Sequence, residues 1–311
     1  MFQTNLLAGK KILVTGGATG LGKSMGKRFL ELGARLYICG RREDVLKETA
    51  KELASATGGK VETFACDVRD SARVEAMIEQ FWLDGPLDVL VNNAAGNFIS
   101  RTEDLSLGAF EAVIGIVLMG TIHCTMACGK RWLKAGHHAS VLNITTTYAE
   151  GGSPYVVPSA IAKAGVLNMT RSLAVEWGNR GIRFNAIAPG PVPTEGAFSR
   201  LMPVKSLEDL AKKRNPLGRF GTHDELADLA AFMVSDHSGY INGHQVVMDG
   251  GEWLKGASEF SHLGDLLTDE MWQAIGSAVS ACWVGVDVVK SVDRARGRAE
   301  RRGRSYLYIL T

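Results

Sequence analysis

Hydrophobic positions along residues 10 to about 250 fall into short continuous runs separated by longer amphipathic stretches. The runs are "KKILVTG", "RLYICG", "KVETFAC", "LDVLVNNA", "ASVLNIT", "IRFNAIAPG" and "HQVVMDGG". Between them lie "LGKSMGKRFLELG", "EDVLKETAKELASATG", "SARVEAMIEQFW" and comparable segments with helical spacing. Apolar runs without alternation predict strands buried on both faces, and intervening helices of ten or more residues predict βαβ units. The expectation is an α/β fold, a Rossmann-type doubly wound parallel sheet in one domain. Residues 191–218 break the rhythm and read as a small helical lid over the C-terminal ends of the strands, where ligands bind in such sheets. Beyond Trp272 neither period is evident, so the domain is set at 1–272 and residues 273–311 at a basic, poorly ordered tail.

Composition refines this reading. Across 311 residues, 46% are hydrophobic and 22% charged, a globular balance. The net charge of +2 is uneven: residues 276–311 alone carry +4, leaving −2 for the rest. The tail reads as an unselected extension or as a basic arm. It lacks aromatic interleaving, which leaves nucleic acid and membrane out of the expected partners. No uninterrupted apolar stretch approaches the roughly 20 residues of a membrane helix. The N-terminus enters a strand almost at once, the C-terminal "YILT" is no peroxisomal signal, and a cytoplasmic location is expected. Five scattered cysteines argue for a reducing compartment. His123, Cys124 and Cys128 could share a helix face, but their apolar surroundings predict buried thiols and no metal.

Chemistry concentrates at strand ends. Gly16, Gly20 and Gly22, with Gly17, Ala18, Thr19 and Leu21 between, follow a strand and open a helix. Glycines there let the backbone approach a pyrophosphate that sits on the helix N-terminus. After the second strand, "YICGRRED" offers Gly40, Arg41 and Arg42 where an NAD site would put a carboxylate. Arg41 therefore predicts a 2′-phosphate and NADPH; two solvated arginines opening a helix are the alternative. Asp67, at the end of the third strand, is placed to accept from an adenine amine.

"TGGATGLG", "NNAAG" with Asn93, Lys163 and "NAIAPGPVPT" together resemble the short-chain dehydrogenase/reductase family, over roughly residues 8–255. That family pairs tyrosine and lysine as YxxxK, on one helix face. Here Ser159 holds the tyrosine's place, and its hydroxyl is far less acidic than a phenol of pKa about 10. "NNAAGNFIS", "TTTYAEGGSPYVVPSAIAKAGV" and "GPVPTEGAFSRL" are similar to the NADPH-dependent 2,4-dienoyl-CoA reductases. That resemblance implies Tyr148 as the acidic hydroxyl and makes Ser159 the expected residue.

It also implies that Tyr148 and Asn97 hold a dienolate oxygen. Lys163 would bind the nicotinamide ribose, Thr146 would orient nicotinamide or substrate, and Pro189, Gly190, Pro191 and Val192 would cover the carboxamide. For the acyl-CoA substrate it implies Phe98 and Ser106 at the acyl pocket and Arg69 and Arg200 on coenzyme A phosphates. Family habit implies a homotetramer. Two departures stand out. Met119 occupies the usual asparagine of "VLNGT". Tyr155 lies eight residues before Lys163, close to the spacing of enoyl-thioester reductases. An enoyl or carbonyl reductase using Tyr155, and a catalytically silent NADPH-binding sensor, stay open as alternatives.

Overall fold

The structure is a computed structural model, and it describes residues 3–194, 205–257 and 263–282. Seven strands form one parallel sheet in the order β3-β2-β1-β4-β5-β6-β7. They are β1 (Lys11–Thr15), β2 (Arg35–Gly40), β3 (Val61–Ala65), β4 (Val89–Asn92), β5 (Ala139–Ile144), β6 (Ile182–Pro189) and β7 (Gln245–Met248). Every strand expected from the apolar runs is present, and the doubly wound fold stands.

The sheet feeds a core on each face. Ile12, Val14, Val89, Val91, Leu142 and Ile187 bury into one core, with α1 (Gly20–Glu31), α2 (Glu43–Thr57) and α9 (His223–Val234) above it. Leu13, Leu90, Val141 and Phe184 point the other way, toward α3 (Ser71–Trp82), α5 (Gly120–Ala135) and α7 (Val157–Gly178). Local signals set the helix ends: Asp70 caps α3 by accepting from Arg73 N at 3.0 Å, and Thr222 with Glu225 closes a capping box on α9. Gly58 and Gly136 end α2 and α5 at φ 70° and 62°, a conformation only glycine adopts without strain.

The strand order reverses between β1 and β4. Loops leaving these two strands part in opposite directions and open a crevice at their C-terminal ends. The glycine turn follows β1 and the "NNAAGNFIS" loop follows β4, so both line it.

Two expectations need correction. Leu107 to Ala135 is one continuous helix, through α4 (Leu107–Ile114), a π turn at Gly115–Met119, and α5. It spans 29 residues and holds an 18-residue window apolar enough to cross a membrane, contrary to the reading of the apolar stretches. Half of that window is buried within the fold, as in a core helix.

The second correction lies at the end of the chain. A compact unit runs through Trp253, and a second begins at Leu254. In the latter, α11 (Leu263–Leu266) is followed by α12 (Asp269–Cys282), which runs past Trp272 into the segment expected to lack helical order. Ala274, Ala278 and Ala281 favour helix there. Within 191–218, α8 (Lys205–Arg214) is helical, while 195–204 and the tail from 283 onward lie outside the described residues. Between β7 and α11, α10 spans Glu252–Ala257.

Candidate active site

The crevice opens on the glycine turn. Gly16 and Gly20 take φ 65° and 52°. A Cβ on Gly22 would stand 2.4 Å from the Gly16 carbonyl oxygen, and one on Gly17 would stand 2.5 Å from Ile38 Cγ2. Helix α1 therefore packs directly on the turn. Thr19, its N-cap, makes no side-chain capping bond, and the first turn carries no acidic residue. Its free N–H groups suit an anion. The residues present thus fit a dinucleotide pyrophosphate, as the glycine spacing predicts.

Beneath the turn, Asn93 Nδ2 donates to the carbonyls of Thr15 (2.9 Å) and Gly16 (3.3 Å). The buried Thr15 hydroxyl accepts from the backbone N–H of Asn93 and of Ala94, each at 3.0 Å. Asn93 thereby braces the cofactor turn from below. Thr15, which sequence reasoning missed, joins β1 to the start of the β4 loop.

Just after β3, Arg69 clamps the Asp67 carboxylate through Nε (3.0 and 3.1 Å) and Nη2 (2.6 Å). That clamp holds Asp67 below the usual carboxylate range, with the Arg41 charge a smaller contribution in the same direction. Arg69 is thus tied to the predicted adenine acceptor. Arg41 and Arg42 are exposed, and Arg42 is the N-cap of α2.

The reactive cluster gathers from three segments. Tyr148 opens a short helix, α6 (Tyr148–Gly151), just after β5. Its Oη lies 3.2 Å from Asn97 Nδ2, in the loop after β4, and 3.2 Å from Ser159 Oγ on α7. Asn97 Oδ1 accepts from Phe98 N at 2.9 Å, which turns the NH₂ toward the phenol. Ser159 and Lys163, four residues apart on one face of α7, are 2% and 6% exposed. The Lys163 ammonium donates to the Ile144 carbonyl at the end of β5. Burial alone lowers its pKa from the ordinary lysine value to about 8. Beside Tyr148, the Thr146 hydroxyl oxygen is buried with no hydrogen-bond partner among the described residues.

The other expected residues divide. Pro189 ends β6, and Gly190 N donates to Met248 O at 2.9 Å. Pro191 O accepts from Gly221 N at 3.1 Å, and Val192 is buried, so this segment is fastened along its length. Phe98 packs on a small cluster of Val113, Val117, Ala162 and Val166. The Ser106 hydroxyl caps α4 by accepting from Ala109 N at 3.3 Å, a role its position before an apolar run could have signalled. Arg200 lies outside the described residues.

Tyr155 does not join the cluster: its side chain is exposed. Its backbone sits at φ 66°, a strained conformation for an aromatic residue, and its carbonyl accepts from Ser100 N at 3.0 Å. That bond ties the β4 loop to the approach to α7. Met119, in the π turn, is 40% exposed and offers no hydrogen-bond donor. Cys124 and Cys128 are buried free thiols, pushed up by that burial, and His123 Nδ1 bonds to Val68 O at 2.9 Å.

Known proteins carry the same pattern. Residues 16–252 match the family model described as enoyl-(acyl carrier protein) reductase. An uncharacterized oxidoreductase of Caenorhabditis elegans is 50% identical over 274 residues, covering 86% of this chain and 87% of its own. A probable 2,4-dienoyl-CoA reductase of Bacillus subtilis, named as (2E)-enoyl-CoA-producing, is 47% identical over 249 residues, covering 79% and 97%. A second C. elegans protein, probable 2,4-dienoyl-CoA reductase 3, named as (3E)-enoyl-CoA-producing, is 45% identical over 273 residues, covering 86% and 87%. Among solved structures, a short chain dehydrogenase from Bacillus anthracis superposes with TM-score 0.71 at 45% identity, covering 78% and 96%. A gluconate 5-dehydrogenase from Burkholderia cenocepacia, in complex with NADP and tartrate, gives TM-score 0.76 at 29% identity, covering 82% and 99%.

Proposed function

The chain belongs to the short-chain dehydrogenase/reductase family of oxidoreductases, and within it we propose that it reduces 2,4-dienoyl-CoA thioesters with NADPH to 3-enoyl-CoA. The observation that carries this reading is the convergence of Asn97 Nδ2 and Ser159 Oγ on Tyr148 Oη, each at 3.2 Å. Relatives named as dienoyl-CoA reductases at 44–47% identity support the substrate class.

When bound, the nicotinamide supplies a hydride. A dienoyl thioester that gains hydride at C5 becomes a dienolate, with negative charge on the thioester oxygen. That oxygen needs fixed donors, and Tyr148 and Asn97 stand close enough together to share one acceptor between them. Each such donor is typically worth ~2.7–4 kcal/mol of barrier. Ser159 Oγ can donate to Tyr148 Oη, an arrangement that would leave the phenol hydrogen for the substrate. Lys163 keeps a cation in a dry site beside Ile144 O. A proton donor that holds the thioester oxygen stands beside C1, and so nearer C2 than C4. Protonation at C2 gives the 3-enoyl product. Arg41 would hold the 2′-phosphate of NADPH, and Asp67, fixed by Arg69, the adenine amine.

We further assign the protein to a reducing compartment, the cytoplasm, in line with four buried unpaired cysteines among the described residues. A homotetramer, the habit of the family, is proposed with it. Tyr148→Phe and Tyr155→Phe, assayed with a dienoyl-CoA, test the site. Turnover lost in the first and kept in the second supports the reading. Loss in Tyr155→Phe alone overturns it in favour of an enoyl-type reductase.

A further inference from the structure

A histidine outside the reactive cluster joins the two ends of the dinucleotide crevice. His223 is the first residue of α9, held there by the Thr222–Glu225 capping box. Its Nε2 lies 2.6 Å from the Pro193 carbonyl oxygen, at the end of the Pro189–Thr194 segment. Its Nδ1 lies 2.6 Å from Ser24 Oγ, one helical turn beyond Gly20 on α1. Thr194 in turn packs against Gly20, where an added Cβ would meet its Cγ2 at 3.3 Å. The ring therefore bridges the segment assigned to the nicotinamide and the helix assigned to the pyrophosphate.

Hydrogen bookkeeping gives this bridge a pH dependence. A carbonyl only accepts, so Nε2 carries a hydrogen in either charge state. Ser24 Oγ also lies 3.2 Å from the Gly20 carbonyl oxygen, another pure acceptor. In the neutral ring, Nδ1 must accept the single serine hydrogen, and Gly20 O then loses it. In the imidazolium, Nδ1 donates to Ser24 Oγ and frees the serine hydrogen for Gly20 O. Only the protonated form makes all three bonds.

The charged neighbours are few. On α1 they are Lys23, paired with Glu52, Lys27 and Glu31, paired with each other, and Arg28, paired with Glu31 at 3.0 Å and with Asp228 at 2.9 Å. On α9 they are Asp224, Asp228, and Glu225, which pairs with Arg219 at 2.6 Å. The Pro189–Thr194 segment carries no charge, and among the described residues no carboxylate bonds the ring.

We propose that His223 is a protonation-dependent clasp: a positioning residue that tightens the Pro189–Thr194 segment over a bound dinucleotide as pH falls. The proposal rests on the nicotinamide dinucleotide reading above, but not on the identity of the substrate. The test is the release rate of NADPH, followed by stopped-flow fluorescence at a series of pH values from about 5 to 8. On protonation the ring's bonds to Pro193 O and Ser24 Oγ become charge-assisted and about twice as strong, which predicts that wild-type release slows by about threefold to tenfold across that range. His223→Gln keeps a neutral donor toward Pro193, and its release rate is expected to stay flat with pH. Ser24→Ala, which leaves the helix intact, is expected to remove most of the dependence as well. A dependence that persists unchanged in His223→Gln would overturn the clasp alone. Wild type that bound neither NADPH nor NADH would overturn the cofactor reading, and the clasp with it.

Discussion

Lys163 is a cation buried without a carboxylate partner, and its replacement by methionine should change how stability depends on pH. Its pKa in the fold is about 8, lowered from 10.5 by burial. The unfolded chain therefore binds the proton more tightly than the native one. Stability is lowest below pH about 8, where the fold must hold the buried charge, and rises as pH climbs toward the unfolded value. The full gap is worth about 3 kcal/mol, of which about 2.5 kcal/mol should be recovered between pH 7 and pH 10. Losing the bond to Ile144 O adds a pH-independent cost to Lys163→Met, so the comparison must rest on slope. The assay is urea unfolding of both proteins, without dinucleotide, at a series of pH values across that interval. The wild type should gain about 2–3 kcal/mol relative to the variant. Parallel curves would refute the claim that burial disfavours the charged amine.

Three further outcomes follow from the same geometry. Asn97→Ala should lower kcat with dienoyl-CoA by about a hundredfold to a thousandfold, the cost of one oxyanion donor, with little change in NADPH affinity by fluorescence titration. Gly22→Ala should abolish dinucleotide binding or folding, because its Cβ would stand 2.4 Å from Gly16 O; binding at wild-type strength would contradict the tight turn. Tyr155→Gly should raise the melting temperature modestly, since release of a positive φ gains up to about 1 kcal/mol; a fall would mean that the ring's contacts outweigh the strain.

How legible the molecule was depends on the reach of each interaction. The seven strands were legible because buried parallel strands write continuous apolar runs, and Gly22 was legible because its packing is local to the turn. Tyr148 and Asn97 are 51 positions apart and meet only because β4 and β5 deliver their loops to the same crevice. Spacing along the chain does not encode that meeting; it came through the resemblance. The apolar helix around His123 was legible, but its run back to Leu107 through a π turn was not, since a single π turn writes no period of its own. The His223–Ser24 bond, across 199 positions, left no local signal at all.

The most direct measurement is NADPH oxidation by the full chain with 2,4-hexadienoyl-CoA, beside crotonyl-CoA as the mono-unsaturated control. The account predicts rapid oxidation that requires the diene, with the remaining double bond of the product between C3 and C4. Equal oxidation of both substrates, or tight NADPH binding with turnover of neither, would contradict it.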